Sequence, residues 1–137
     1  MTAYPRIAGA EQRFSGWGTI TEYRLEMRLG APALRREVYD HGHAAAVLLC
    51  DPARNTVLLV RQFRVPALLG GDGGPLLEVA AGLLDGLAPQ ACAEKEAEEE
   101  TGHRPRRLRH AFDAYLSPGS LSEKVHCFLG EYNAATR

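Results

Sequence analysis

Only one stretch of this chain reads as a convincing helix, and almost everything around it reads as strand or turn. Pro89 to Thr101 has Pro near its start, an Ala- and Glu-rich interior and Gly102 as a C-terminal stop. From Gly18 to Leu29, β-forming residues alternate with charges, which predicts a strand. Gly30-Ala31-Pro32 then makes a turn, and Leu34 to Asp40 reads as a partner strand. His43 to Cys50 is nearly all apolar, the pattern of a buried strand. Val57 to Val60 reads as another, leading into Arg61-Gln62-Phe63-Arg64. Gly70 to Pro75 is a flexible connection, and Leu76 to Ala81 is a short strand. Leu108 to Leu116 and Lys124 to Tyr132 are two further strands, separated by Ser117-Pro118-Gly119-Ser120. The first 16 residues are weakly patterned and read as a flexible arm. One helix packed on a sheet of mixed connectivity predicts an α+β fold.

Several function classes are disfavoured by composition. A chain of 137 residues can bury one core and has little room for a second domain. Sixteen Lys and Arg against seventeen Asp and Glu leave a formal charge of −1, which argues against nucleic acid or an anionic membrane as a partner. No apolar run approaches the ~20 residues of a membrane span. Met1 to Ala10 lacks the layout of a signal peptide. Cys50, Cys92 and Cys127 are odd in number and far apart, which suits a reducing cytoplasm without disulfides.

The helix carries the chemistry. Five of the seven residues from 94 to 100 are Glu. Glu96, Glu99 and Glu100 stand at i, i+3 and i+4, so their carboxylates share a face, while Glu94 and Glu98 fall elsewhere and read as solvated. Like charges at these spacings each cost a helix about 0.2–0.5 kcal/mol. Their place in the last turns also opposes the helix dipole. Clustered carboxylates that relieve this by holding Mg²⁺ or Mn²⁺ are the natural candidate. An Ala- and Glu-rich helix taken alone also suits a plain solvated surface.

The preceding segment decides between them. Glu78-Val79-Ala80-Ala81-Gly82-Leu83-Leu84-Asp85 joins a short strand to the helix. Residues 78–102 resemble the signature of the Nudix hydrolases, opened by Gly82 and closed by Lys95-Glu96-Ala97-Glu98-Glu99-Glu100-Thr101-Gly102. The match has departures. Ala88 stands where the family has an isolated Glu, Lys95 replaces Arg, His103 fills an apolar position, and the spacing from Gly82 to Lys95 is one residue short. Arg36 to Gly42, Val60 to Arg64, Ala81 to Asp85 and Tyr115 to Gly119 resemble the nucleoside-diphosphate-sugar branch. Within it the bacterial GDP-mannose hydrolases are most similar, and the ADP-ribose pyrophosphatases come next.

The resemblance implies a Nudix α/β/α sandwich and a homodimer with exchanged N-terminal antiparallel strands. Residues 1–42 would be the arm and dimerisation strands, and 43–137 the Nudix domain. Family members continue past the strand ending near Tyr132 with an acidic loop and a closing helix, so that C-terminal part is expected to be missing here. The implied reaction is Mg²⁺-dependent cleavage of a nucleoside diphosphate sugar into a nucleoside monophosphate and a sugar phosphate. Glu96, Glu99 and Glu100 would be catalytic and, with the Ala81 carbonyl, hold the metal. Arg64 would contact the diphosphate, because a guanidinium fork suits phosphate oxygens. Arg35, Arg36 and Glu37 would reach the neighbouring subunit's site, and Ser122 and Glu123 would face the sugar. Trp17 offers a stacking surface for a nucleobase.

The alternative is a catalytically silent Nudix-fold module that binds a nucleotide or a partner. His41-Gly42-His43 lacks a third ligand and reads as incidental, and Arg104, Arg106, Arg107 and Arg109 read as a solvated strand edge.

Overall fold

A computed structural model describes residues 4–137. In chain order its strands and helices begin with β1 (Arg6–Ser15), β2 (Thr19–Glu26), β3 (Leu34–Asp40), β4 (Ala44–Asp51), β5 (Thr56–Leu58) and β6 (Val60–Phe63). They continue with α1 (Val65–Leu69), β7 (Pro75–Glu78), β8 (Ala80–Leu83), α2 (Pro89–Thr101), β9 (Arg106–Tyr115) and β10 (Lys124–Glu131). A 3₁₀ turn follows at Ala134–Thr136. The α+β class and mixed sheet expected from the sequence are observed. The chain divides into two compact units. One comprises the residues up to His43 with Tyr115–Lys124, and the other comprises Ala44–Ala114 with Val125–Arg137.

In the first unit, β1, β2 and β3 form an antiparallel sheet in that order. The β2–β3 register runs from Thr19 opposite Asp40 to Leu25 opposite Leu34. The flexible arm expected for the first 16 residues is corrected here: Arg6–Ser15 is a full strand paired with β2. Nine of its ten residues are exposed. Backbone hydrogen bonds hold it rather than burial, so it carries no apolar alternation. Residues 1–3 of that expectation lie outside the described residues. The 117–122 loop joins this unit through Tyr39, whose N–H donates to the Ser120 carbonyl at 2.8 Å and whose carbonyl accepts from the Ser122 N–H at 3.1 Å.

The second unit is built on the order β5-β4-β10-β9. β10 runs parallel to β4, from Val125 opposite Ala44 to Glu131 opposite Cys50. The other edge of β4 is shared: its first half pairs with β8 and its end with β5, both antiparallel. Helix α2 occupies the residues its sequence signals set. Pro89 opens it, and Gly102 closes it in the left-handed region at φ 73°, donating its N–H to the Glu98 carbonyl at 2.9 Å. The buried side chains of α2 are Cys92, Ala93 and Ala97, all small, so the helix lies close to the sheet. They pack on Ala45, Val47, Leu49, Ala80 and Phe128. On the opposite face, Ala44, Ala46 and Val125 pack with Val79, Ala81, Leu83 and Cys127.

Three local expectations change. The run Val57–Val60 is not one buried strand. It breaks at Leu59 because β5 serves β4 while β6 pairs with β7, and Val57 is 52% exposed. The strand expected over Leu76–Ala81 likewise divides at Val79, where the chain changes partner from β6 to β4. A short helix, α1, was not expected; Pro66 sits in its first turn, where a missing N–H costs nothing. No helix among the described residues is long and apolar enough to cross a membrane.

Candidate active site

The strand β8, the loop to Ala88 and helix α2 place carboxylates beside a backbone with room for them. Glu96 and Glu100 are one helical turn apart and half-buried, both turned onto β8. At Gly82 a Cβ would stand 2.6 Å from each Glu96 carboxylate oxygen, so only glycine leaves that carboxylate its place. The Ala81 N–H donates to Glu100 Oε2 at 3.2 Å. The Gln62 side-chain amide donates to Glu100 Oε1, so both oxygens of this carboxylate are oriented. Glu99 is different: its side chain is 58% exposed against 13% for Glu96. Lys95 bridges the two, 3.0 Å from Glu96 and 2.9 Å from Glu99. Its ammonium pKa is raised, first by the hydrogen bond to Glu99 and then by that to Glu96. Glu98 is exposed, as expected, and Glu94 accepts from Gln90 at 3.2 Å.

Arg64 lies in the same unit. Its Nε donates to Glu78 Oε1 at 3.0 Å and its Nη2 to Glu78 Oε2 at 2.6 Å. The hydrogen bond to Glu78 raises its pKa first, and the charge of Glu100 contributes as well. Sequence reasoning missed Gln62 and Glu78 as partners in this cluster. The available signal was their place in the quoted segments flanking Arg64 and Gly82.

The remaining expected site residues belong to the first unit. Arg35 and Arg36 are exposed on β3 beside exposed Glu37; Arg35 Nη1 lies 3.3 Å from Glu22. Ser122 Oγ donates to the Tyr39 carbonyl at 3.4 Å. Glu123 is buried, with a carboxylate oxygen 3.7 Å from His41 Nε2. Trp17 stacks on the His41 ring at 4.8 Å and 23°, yet the residue is 75% exposed. Tyr39 lies across His41 at 5.4 Å. His41 is thus packed among aromatic rings beside Glu123. The Asp40 carboxyl is held below the usual range by the Gly42 N–H and by Ser122.

Residues 40–135 match the NUDIX domain. A GDP-mannose pyrophosphatase of Pectobacterium atrosepticum is 48% identical over 125 residues, covering 88% of this chain and 65% of that protein. Its counterpart in Klebsiella pneumoniae is 49% identical over 104 residues, covering 75% of this chain and 52% of that protein. The chain therefore spans between about half and two thirds of the length of these relatives. The crystal structure of an ADP compounds hydrolase superposes with a TM-score of 0.76 at 20% identity, covering 96% of this chain and 69% of that one. That likeness bears on the fold alone. The matched domain takes in well over half of the chain, including β8, α2 and their carboxylates, and the chain belongs to the Nudix family.

Proposed function

We propose that this chain hydrolyses the pyrophosphate bond of a nucleoside diphosphate sugar of the GDP-mannose or ADP-ribose type. The products are a nucleoside monophosphate and a sugar phosphate. One observation carries the reading: Glu96 and Glu100, half-buried and one turn apart, face β8 where Gly82 makes room for a carboxylate. The names of the similar proteins support GDP-mannose as the first substrate to try.

An oxygen-only donor set suits Mg²⁺, with Mn²⁺ as an alternative. Glu96, Glu99, Glu100 and the Ala81 carbonyl would hold it. When bound, such an ion neutralises charge on the pyrophosphate oxygens and lowers the pKa of a water. Gln62 and the Ala81 N–H fix the Glu100 carboxylate, so it needs little reorganisation. Glu78 fixes the plane of Arg64, whose guanidinium then meets the diphosphate. Lys95 balances Glu96 and Glu99, lessening the repulsion within α2. The reaction adds one water across one P–O–P bond.

The remaining residues expected from the sequence complete this reading. Trp17 stacks the base, Ser122 and Glu123 face the sugar, and Arg35, Arg36 and Glu37 reach a neighbouring subunit's site in a homodimer. Exposed Ile7 and Phe14 on β1 support an assembly in which this sheet packs against a second copy. The setting would be a reducing cytoplasm, in keeping with three free cysteines.

Incubated with a panel of nucleotide sugars and Mg²⁺, the chain is expected to release nucleoside monophosphate from GDP-mannose or ADP-ribose. Chromatography showing no product from any of them would overturn the proposal. Gly82→Ala gives a finer check. The group in the way is the end of a flexible side chain, so the melting temperature should change little while Glu96 is displaced. Mg²⁺ affinity measured by calorimetry should fall about 10–100-fold. Unchanged affinity would remove Glu96 from the metal site.

A further inference from the structure

We propose that His110, Asp113 and His126 form a binding site for a divalent transition-metal ion of the zinc type, separate from the glutamates of α2. His110 Nε2 lies 2.7 Å from Asp113 Oδ1, and His126 Nδ1 lies 2.9 Å from the same oxygen. All three ligand atoms fall within 4.8 Å of one another. A tetrahedral zinc site with bonds near 2.0–2.1 Å sets its ligand atoms about 3.4 Å apart. Small rotations about the side-chain bonds would bring this triad to that spacing.

The backbone is shaped to bring these groups together. His110 and Asp113 are three residues apart on β9, and on a regular strand they would point to opposite faces. The 2.7 Å contact between their side chains shows that β9 departs from strict alternation here, and Asp113 returns to the face of His110, where His126 from β10 meets it. Phe128 packs edge-on against the His110 ring at 5.5 Å and 78°, restraining its plane. The donors therefore sit on paired strands rather than on mobile loops.

The donor chemistry selects the ion. Two imidazole nitrogens and one carboxylate suit zinc and its neighbours, whereas Mg²⁺ favours oxygen ligands. His110 and Asp113 are exposed, which provides an entry path and open positions for water or a ligand. His126 pairs with Ala45, and Ala45 pairs with Gly82. The triad therefore lies two strands from Gly82, about 10 Å away along the sheet.

The test is a calorimetric titration of the full chain with ZnCl₂ in excess Mg²⁺, which occupies the oxygen site. One zinc should bind, and the Glu96→Gln/Glu100→Gln double variant should bind it equally well. His110→Ala removes an exposed side chain and should leave the fold intact while weakening zinc by about tenfold or more. Asp113→Asn should do the same. In the wild type, ring-nitrogen NMR signals of His110 and His126 should shift together at one equivalent. Absence of zinc binding, an isotherm unchanged by His110→Ala, or binding lost only in the glutamate variant would each overturn the proposal.

Discussion

Glu100→Gln should reduce turnover of the nucleotide sugar by about 10²–10³-fold, the equivalent of ~3–4 kcal/mol of transition-state stabilisation. The substitution keeps the size and helix propensity of the side chain and removes a charge that the proposed metal site would use. Glu98→Gln, two residues earlier and exposed, should leave turnover within a small factor of wild type. The effect on stability follows from the contacts. Neutralising Glu100 relieves helix repulsion worth about 0.2–0.5 kcal/mol. It also weakens hydrogen bonds from Gln62 and the Ala81 N–H to a charged acceptor, worth about 1.5–3 kcal/mol each. The second effect is larger, so the metal-free variant should melt somewhat lower. Equal loss of activity in Glu98→Gln and Glu100→Gln would show that the wrong helix face had been assigned.

Mixing two impaired proteins, assayed with substrate well below KM, should restore activity if sites are shared between subunits. Arg36→Ala should chiefly raise KM, since its exposed guanidinium on β3 is proposed to touch substrate rather than metal. Glu100→Gln removes the chemistry. In a heterodimer of the two, one site carries both defects and the other neither. Random exchange in an equal mixture makes half the dimers mixed, so recovery should approach roughly a quarter of wild-type activity per subunit. A monomer on sedimentation, or no recovery despite proven exchange, would rule out the shared site.

These predictions rest on a helix that could be read in advance. Pro89 and Gly102 supply the start and stop signals of α2, and β4 is an apolar run that any core would bury. The carboxylate spacing of α2 was visible for the same reason, since a helix converts sequence distance directly into position. The failures occurred where structure depends on distant partners. β1 is held by its ladder with β2 and leaves no apolar signature. The breaks at Leu59 and Val79 mark changes of strand partner, which no local residue announces. The pairings of Gln62 with Glu100 and Arg64 with Glu78 join segments 38 and 14 residues apart. His126 meets Asp113 only because β9 and β10 are neighbours and β9 is irregular between His110 and Asp113.

The most direct test of the central claim is a ³¹P NMR time course of the chain with GDP-mannose and Mg²⁺ in water enriched in ¹⁸O. The two diphosphate resonances should give way to two phosphomonoester resonances in equal amounts. One of the two should show the isotope shift of a single incorporated oxygen, and neither should form with Glu100→Gln or without a divalent ion. Diphosphate resonances that persist unchanged in the presence of folded protein and Mg²⁺, with ADP-ribose as well as GDP-mannose, would contradict it.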